Sequence, residues 1–263
     1  MTRKTKKKME EKTAGEIKNP YRPFDPESGE WFYHEDVIRQ IKEIFETNPE
    51  NQVIVLYGKP GSGKTSILKR IESNPGLFGE DYILIYLDTK KYIGLYSRDL
   101  SYNVYKDAAD RIKELGYDIP EKAYNKEEKT LAYILSFFDL DIPGKILVLI
   151  LGKFDLLMGD MFNKFISDLI NYIKPLNKDL SKYRLIIAGD KEMIDLYSDE
   201  TINRFLDSAS PIHVEDAVDE ETIRNAIFEP AKNLLTYDED AVREIIRLCG
   251  KNLLFQQLIC FYI

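Results

Sequence analysis

The stretch GKPGSGKT, Gly58 to Thr65, constrains the fold more than any other feature of the chain. It fits G-x-x-x-x-G-K-[ST] and stands between a compact apolar run, Val53 to Tyr57, and a helical run that begins at Lys64. A strand, a glycine loop and a helix in that order turn successive backbone N–H groups inward at a helix N-terminus, where partial positive charge gathers. Gly58, Gly61 and Gly63 are expected to supply φ > 0 and close backbone approach. Such a cradle suits phosphate oxygens, with Lys64 as a point charge on the β- and γ-phosphates and the Thr65 hydroxyl as a ligand to Mg²⁺. The expected binding residues are Gly58, Lys59, Pro60, Gly61, Ser62, Gly63, Lys64, Thr65 and Ser66, with ATP or ADP as the ligand.

Further strands follow in YILIYLD (Tyr82 to Asp88), in KILVLILGKFDLL (where Ile146 to Leu151 are all apolar), in YRLIIAGD and in the short SPIHVED. Helical patterns lie between them, from about Asp99 to Leu115, from Glu127 to Phe138, and from Met161 to about Ile173. After Glu220 only helical patterns remain, ending in NLLFQQLICFYI. Alternation of strand and helix predicts an α/β fold, a parallel sheet covered by helices on both faces, with a helical lid at its C-terminal end. The expected organisation is a basic disordered tail over 1–18, a nucleotide-binding α/β domain over 19–218 and a helical lid over 219–263 that looks truncated.

Charge narrows the partners. Residues 1–18 carry seven Lys and Arg against three Glu, a local +4 in a chain of net −8, so the remainder carries −12. An acidic body argues against broad binding of a phosphate backbone, which leaves nucleic acid to the tail or to a module outside this chain. No apolar run approaches the roughly 18 residues that span a bilayer. With Cys249 and Cys260 as the only cysteines, the composition suits a reducing cytoplasm, and with only His34 and His213 besides there is no zinc-type cluster.

In order and spacing these parts resemble the STAND and AAA+ branches of P-loop ATPases, over roughly Asn19 to the last residue. NPYRPFDP and WFYHEDVIRQI stand where that family has an "NPF…P" segment and an "FVGRE" box; IYLD, LGKFDLL, LIIAGD and GKNLLFQQLIC answer to its later strand ends and its lid motif. The resemblance implies ATP hydrolysis assisted by Mg²⁺, and a partner protein or self-association through the lid. It also implies that the strand ending in Asp190 lies between the phosphate-loop strand and the acidic one, with the strand ending in Asp88 farther out.

The departures fall on functional spots. Tyr33 and His34 replace Gly-Arg in the box, Lys251 and Leu253 alter the lid motif, and Gly152-Lys153 replace the paired acids of the third strand's end. Glycine can neither hold water on a metal nor polarise it, and losing such a group costs ~10²–10⁴-fold in rate. Hydrolysis is therefore expected to be weak or lost and the protein to act as a nucleotide-dependent switch. Lys153 either reaches solvent or neutralises phosphate in place of Mg²⁺. Asp155 and Asp190 are the catalytic candidates; their plainer roles are a turn cap and a surface turn, as Arg204 is either an arginine finger or a solvated residue. A competent ATPase using Asp155 or Asp190, and a non-enzymatic interaction scaffold, remain the alternatives.

Overall fold

A computed structural model describes residues 19–21, 34–47, 53–124, 144–157, 165, 183–190, 209–215 and 219–263. Strands β1 (Val53–Tyr57), β2 (Tyr82–Asp88), β3 (Ile146–Gly152), β4 (Tyr183–Gly189) and β5 (Ser210–His213) form one sheet in the order β2-β3-β4-β1-β5. Every neighbouring pair is parallel. Buried on both faces, the central strands read as unbroken apolar runs rather than as alternating ones. The strand ending beside Asp190 does lie between β1 and β3, and β2 is at the far edge. Only the SPIH half of SPIHVED is strand, although the Val214 N–H still donates to the Tyr57 carbonyl at 2.8 Å.

Alternate residues of each strand feed two separate cores. On one face Val55, Ile85, Leu149 and Leu185 meet Leu100, Val104 and Ala108 of α3 (Ser97–Glu114). On the other, Ile54, Leu56, Val148, Ile150 and Ile186 meet α2 (Lys64–Ser73) through Ile67, Leu68 and Ile71. The same core takes Val37, Ile38, Ile41 and Phe45 of α1 (Glu35–Thr47), a helix absent from the sequence expectation. Each such side chain contributes about 1.5–3 kcal/mol by leaving water. Two full cores hold the sheet's carboxyl edge still.

The C-terminal helices α4 (Glu220–Ala231), α5 (Glu239–Cys249) and α6 (Leu253–Tyr262) start at Asp219, Asp238 and Asn252, whose side chains accept from the N–H groups of Thr222, Asp240 and Phe255. They build a third core from Ile223, Ile227, Val242, Ile245, Leu253 and the free thiols Cys249 and Cys260. Tyr21 belongs to this core: its hydroxyl donates to the Ile227 carbonyl and accepts from the Tyr237 hydroxyl at 2.9 Å. Asn19 adds a 2.9 Å bond from Nδ2 to the Phe261 carbonyl. The NPY segment is thus tied to the helices at the other end of the chain.

The tail over 1–18, Tyr33, Arg204 and the helical patterns over 127–138 and 161–173 lie outside the described residues, apart from a buried Phe165 that stacks on Tyr105 at 5.9 Å. Among the described residues, no helix is long and apolar enough to cross a membrane.

Candidate functional site

The glycine loop runs from the end of β1 into α2 and owes its shape to three different constraints. A Cβ on Gly58 would lie 2.3 Å from the Val214 carbonyl oxygen, so of the two expected reasons for this glycine close approach holds and positive φ does not. Gly61 and Gly63 do take positive φ, 83° and 96°. Behind Gly63 stands His34, whose Nε2 would be 2.7 Å from an added Cβ, so the residue that replaces the usual arginine braces the back of the loop. Burial pushes the His34 imidazole below its ordinary value, against the opposing pull of Asp36 and of the Ser62 backbone. Ser62 is buried, Lys64, Thr65 and Ser66 are half-buried, and Lys59 and Pro60 are exposed.

Lys64 is folded back over the loop. Its Nζ donates to the carbonyls of Gly58 at 2.6 Å and Lys59 at 2.8 Å, and lies 3.2 Å from Asp190 Oδ1. The third member of this cluster is Asp155, in the short 3-10 turn Phe154–Leu157 after β3. Burial, and then the neighbouring Asp190 carboxylate, push the Asp155 carboxyl above its ordinary value; Lys64 and the N–H groups of Asp155 and Asp190 pull the other way. Both acids singled out in the sequence therefore stand at the phosphate loop. Among the described residues, no group of three or more His, Cys, Asp or Glu side chains could hold a metal ion. The Thr65 hydroxyl and these carboxylates are oxygen donors, the ligand type that Mg²⁺ takes, and phosphate oxygens and water would have to complete its octahedron.

The end of β3 is built differently. A Cβ on Gly152 would meet Tyr86 of β2, 2.6 Å from the hydroxyl oxygen and 2.7 Å from Cε2, so the phenol occupies the space of a strand-end carboxyl. Tyr86 is 8% exposed, and its hydroxyl is buried without a hydrogen bond among the described residues. Lys69 Nζ lies over its ring at 5.7 Å from the centroid. Lys153, the sole non-glycine residue with positive φ (57°) among the described residues, places Nζ 2.7 Å from Asp88 Oδ2. The Lys153 ammonium reaches the solvent-exposed end of β2, where Asp88 faces it across the Asp88–Gly152 register, and so is paired there rather than directed at the loop. The Thr89 hydroxyl donates to the Gly152 and Lys153 carbonyls at 3.0 and 2.7 Å and fixes the turn. Nothing in the sequence points to Tyr86, because only the pairing of β2 with β3 brings its side chain to Gly152.

The lid reaches the same loop. A Cβ on Gly61 would lie 3.1 Å from Asn252 Oδ1 and 3.2 Å from Leu254 Cβ, so the first turn of α6 rests against the glycine loop.

A parallel sheet in this order, with a glycine loop between its β1 and α2, is the α/β fold of P-loop NTPases of the AAA+ type. Solved structures similar to it include Cdc6p from Pyrobaculum aerophilum (TM-score 0.61, 17% identity, covering 92% of this chain and 62% of that one). The Walker-type ATPase PABY2304 of Pyrococcus abyssi is similar at TM-score 0.65 and 14% identity, with 88% of this chain and 67% of that one covered. The ADP form of the Aeropyrum pernix ORC2 protein gives 0.59 and 14%, with 88% and 62% covered. The chain thus spans between three-fifths and two-thirds of the length of these proteins. No protein-family model and no curated protein matches the sequence.

Proposed function

We propose that this protein binds ATP or ADP in the Gly58–Ser66 loop and uses the bound nucleotide as a conformational switch, hydrolysing it weakly or not at all. The observation that carries the reading is the end of β3, where Gly152 brings no acid and the Tyr86 phenol holds its place. The cradle itself is complete, with Lys64, Thr65 and the glycine backbone present, and the neighbours support the choice of ligand: the ORC2 structure is an ADP form, and a structure of the replication initiator DnaA is bound to AMPPCP and single-stranded DNA.

The switch follows from two contacts. Phosphate entering the cradle competes with the Gly58 and Lys59 carbonyls and with Asp190 for the Lys64 ammonium. It also meets the first turn of α6, seated on Gly61. Nucleotide binding would release the Lys64–Asp190 pair and reposition the lid, the element through which a partner protein or a second copy is engaged. On this reading the order of its parts relates the protein to the STAND-like ATPases, and the altered end of β3 is a departure from them. It lives in the cytoplasm on this reading, with nucleic acid reached only through the basic tail or a further module.

A second reading, a competent Mg²⁺-dependent ATPase, is favoured by the placement of Asp155 beside Asp190 and Lys64. There Asp190, freed from Lys64, or Asp155 would hold a water or a metal-bound water beside the phosphates.

The test is nucleotide-dependent thermal shift. Any ligand selective for the folded state stabilises it, by about 2.7 kcal/mol at a hundredfold excess over Kd. ATP or ADP should raise the melting temperature of the wild type, and Lys64→Ala should lose the shift. An equal shift in that variant would show that the loop is not the site, and no shift in the wild type would favour a scaffold that binds no nucleotide.

A further inference from the structure

Tyr86 is a peculiar residue to bury. Its hydroxyl makes no hydrogen bond among the described residues, although the side chain is only 8% exposed. A buried polar group without a partner destabilises the fold, and phenylalanine would fill the same space without that cost. The direction of the ring supplies a reason for the hydroxyl. In the sheet Tyr86 pairs with Ile150, yet its oxygen reaches the place where a Cβ on Gly152 would stand, two residues nearer the carboxyl edge. The side chain therefore leans along its strand toward the edge that carries the glycine loop. Above the ring sits the ammonium of Lys69, one helical turn after Thr65 on the same face of α2, so Tyr86 lies under the helix that begins at Lys64.

We infer that Tyr86 is a binding residue for the terminal phosphate of the nucleotide, its phenolic O–H donating to a phosphate oxygen from the place where a carboxylate would face a metal ion. The inference rests on nucleotide binding at the loop and assigns to that site a donor that it needs. Burial, with Asp88 and Glu72 adding to it, holds the phenol far above its ordinary value and hence neutral. A neutral O–H brings no negative charge toward a polyphosphate, whereas a carboxylate there would repel it unless a cation intervened. Gly152 is the complement of this device: any side chain at that position would displace the hydroxyl.

The experiment measures ADP and ATP affinity by calorimetry for the full chain and for Tyr86→Phe, each in EDTA and in Mg²⁺, together with the nucleotide-free melting temperature. Tyr86→Phe should bind both nucleotides about tenfold more weakly in EDTA, the loss of one hydrogen bond to a charged acceptor. Its nucleotide-free melting temperature should stay unchanged or rise, an outcome that a purely structural role for the hydroxyl does not predict. Gly152→Ala should weaken binding in the same direction. Equal affinity in Tyr86→Phe and wild type would overturn the inference and leave nucleotide binding standing. A loss seen only in Mg²⁺ would also overturn it, by placing the hydroxyl on the water shell of the metal. If the wild type binds neither nucleotide, the proposed function and this inference fail together.

Discussion

An aspartate at position 152 would have to share its space with Tyr86, which stands 2.6 Å from the nearest possible Cβ. Forcing extra atoms into a filled site typically costs 1–3 kcal/mol, so Gly152→Asp should lower stability by about that amount. Removing the ring should make room. The double variant Tyr86→Ala, Gly152→Asp is expected to be more stable than the sum of the two single losses predicts, a coupling read from urea unfolding of all four proteins. Strict additivity would mean that the ring and residue 152 do not compete. A second residue-scale expectation concerns Asp155, whose carboxyl burial holds above the ordinary 3.8. The folded protein then retains the proton longer than the unfolded chain, so this stability is full at low pH and is lost as pH rises through the raised value. Asp155→Asn stays neutral throughout. In the nucleotide-free protein it should gain stability relative to wild type between about pH 4 and pH 7, and a variant that loses ground over that interval would contradict the assignment. At this scale the sequence was informative about the loop and both acids. It was uninformative about Tyr86, one tyrosine among 17, whose role depends on which strand lies beside β3.

Among the elements, strands were legible because both faces of the sheet are buried: Val53–Tyr57, Tyr82–Asp88, Ile146–Gly152 and Tyr183–Gly189 each contain a compact apolar run. Helix α1 shows helical spacing in Val37, Ile38, Ile41 and Phe45, but it coincides with the box motif and has a single short apolar stripe. Its position matters, because α1 begins one residue after His34, which braces Gly63. At the other end of the loop, α6 depends on Asn252, whose side chain caps the helix by accepting from the Phe255 N–H at 3.1 Å and also abuts Gly61. Asn252→Ala should cost about 1 kcal/mol in urea unfolding, with the lid's contact to the loop loosened as well; a loss under about 0.3 kcal/mol would mean that the cap does not hold α6 in place. Nothing in the composition of GKNLLFQQ showed that its asparagine would meet the phosphate loop. That contact joins residues nearly two hundred positions apart and exists only once the lid has folded over.

For the whole molecule, the sheet order β2-β3-β4-β1-β5 puts every candidate group at one edge: the loop after β1, Asp190 after β4, Gly152 and Asp155 around the end of β3, and Asp88 at the end of β2. The first turn of α6 rests against the glycine loop at that edge, and the C-terminal helices are bonded to the start of the described chain through Asn19 and Tyr21. Within this frame the Tyr86 phenol fills the space beside Gly152, and the Lys153 ammonium pairs with Asp88. On the function proposed above, such an edge binds nucleotide and turns it over weakly or not at all. Phosphate release from ATP in Mg²⁺ tests it most directly, with wild type and Lys64→Ala run side by side under conditions where thermal shift shows the wild type to be loaded. On this account the loaded wild type should release phosphate at the variant's background rate or little above it, well under about one per minute. Mg²⁺-dependent release at about one per minute or faster, abolished by Lys64→Ala, would contradict it and assign the catalytic acid to Asp155 or Asp190.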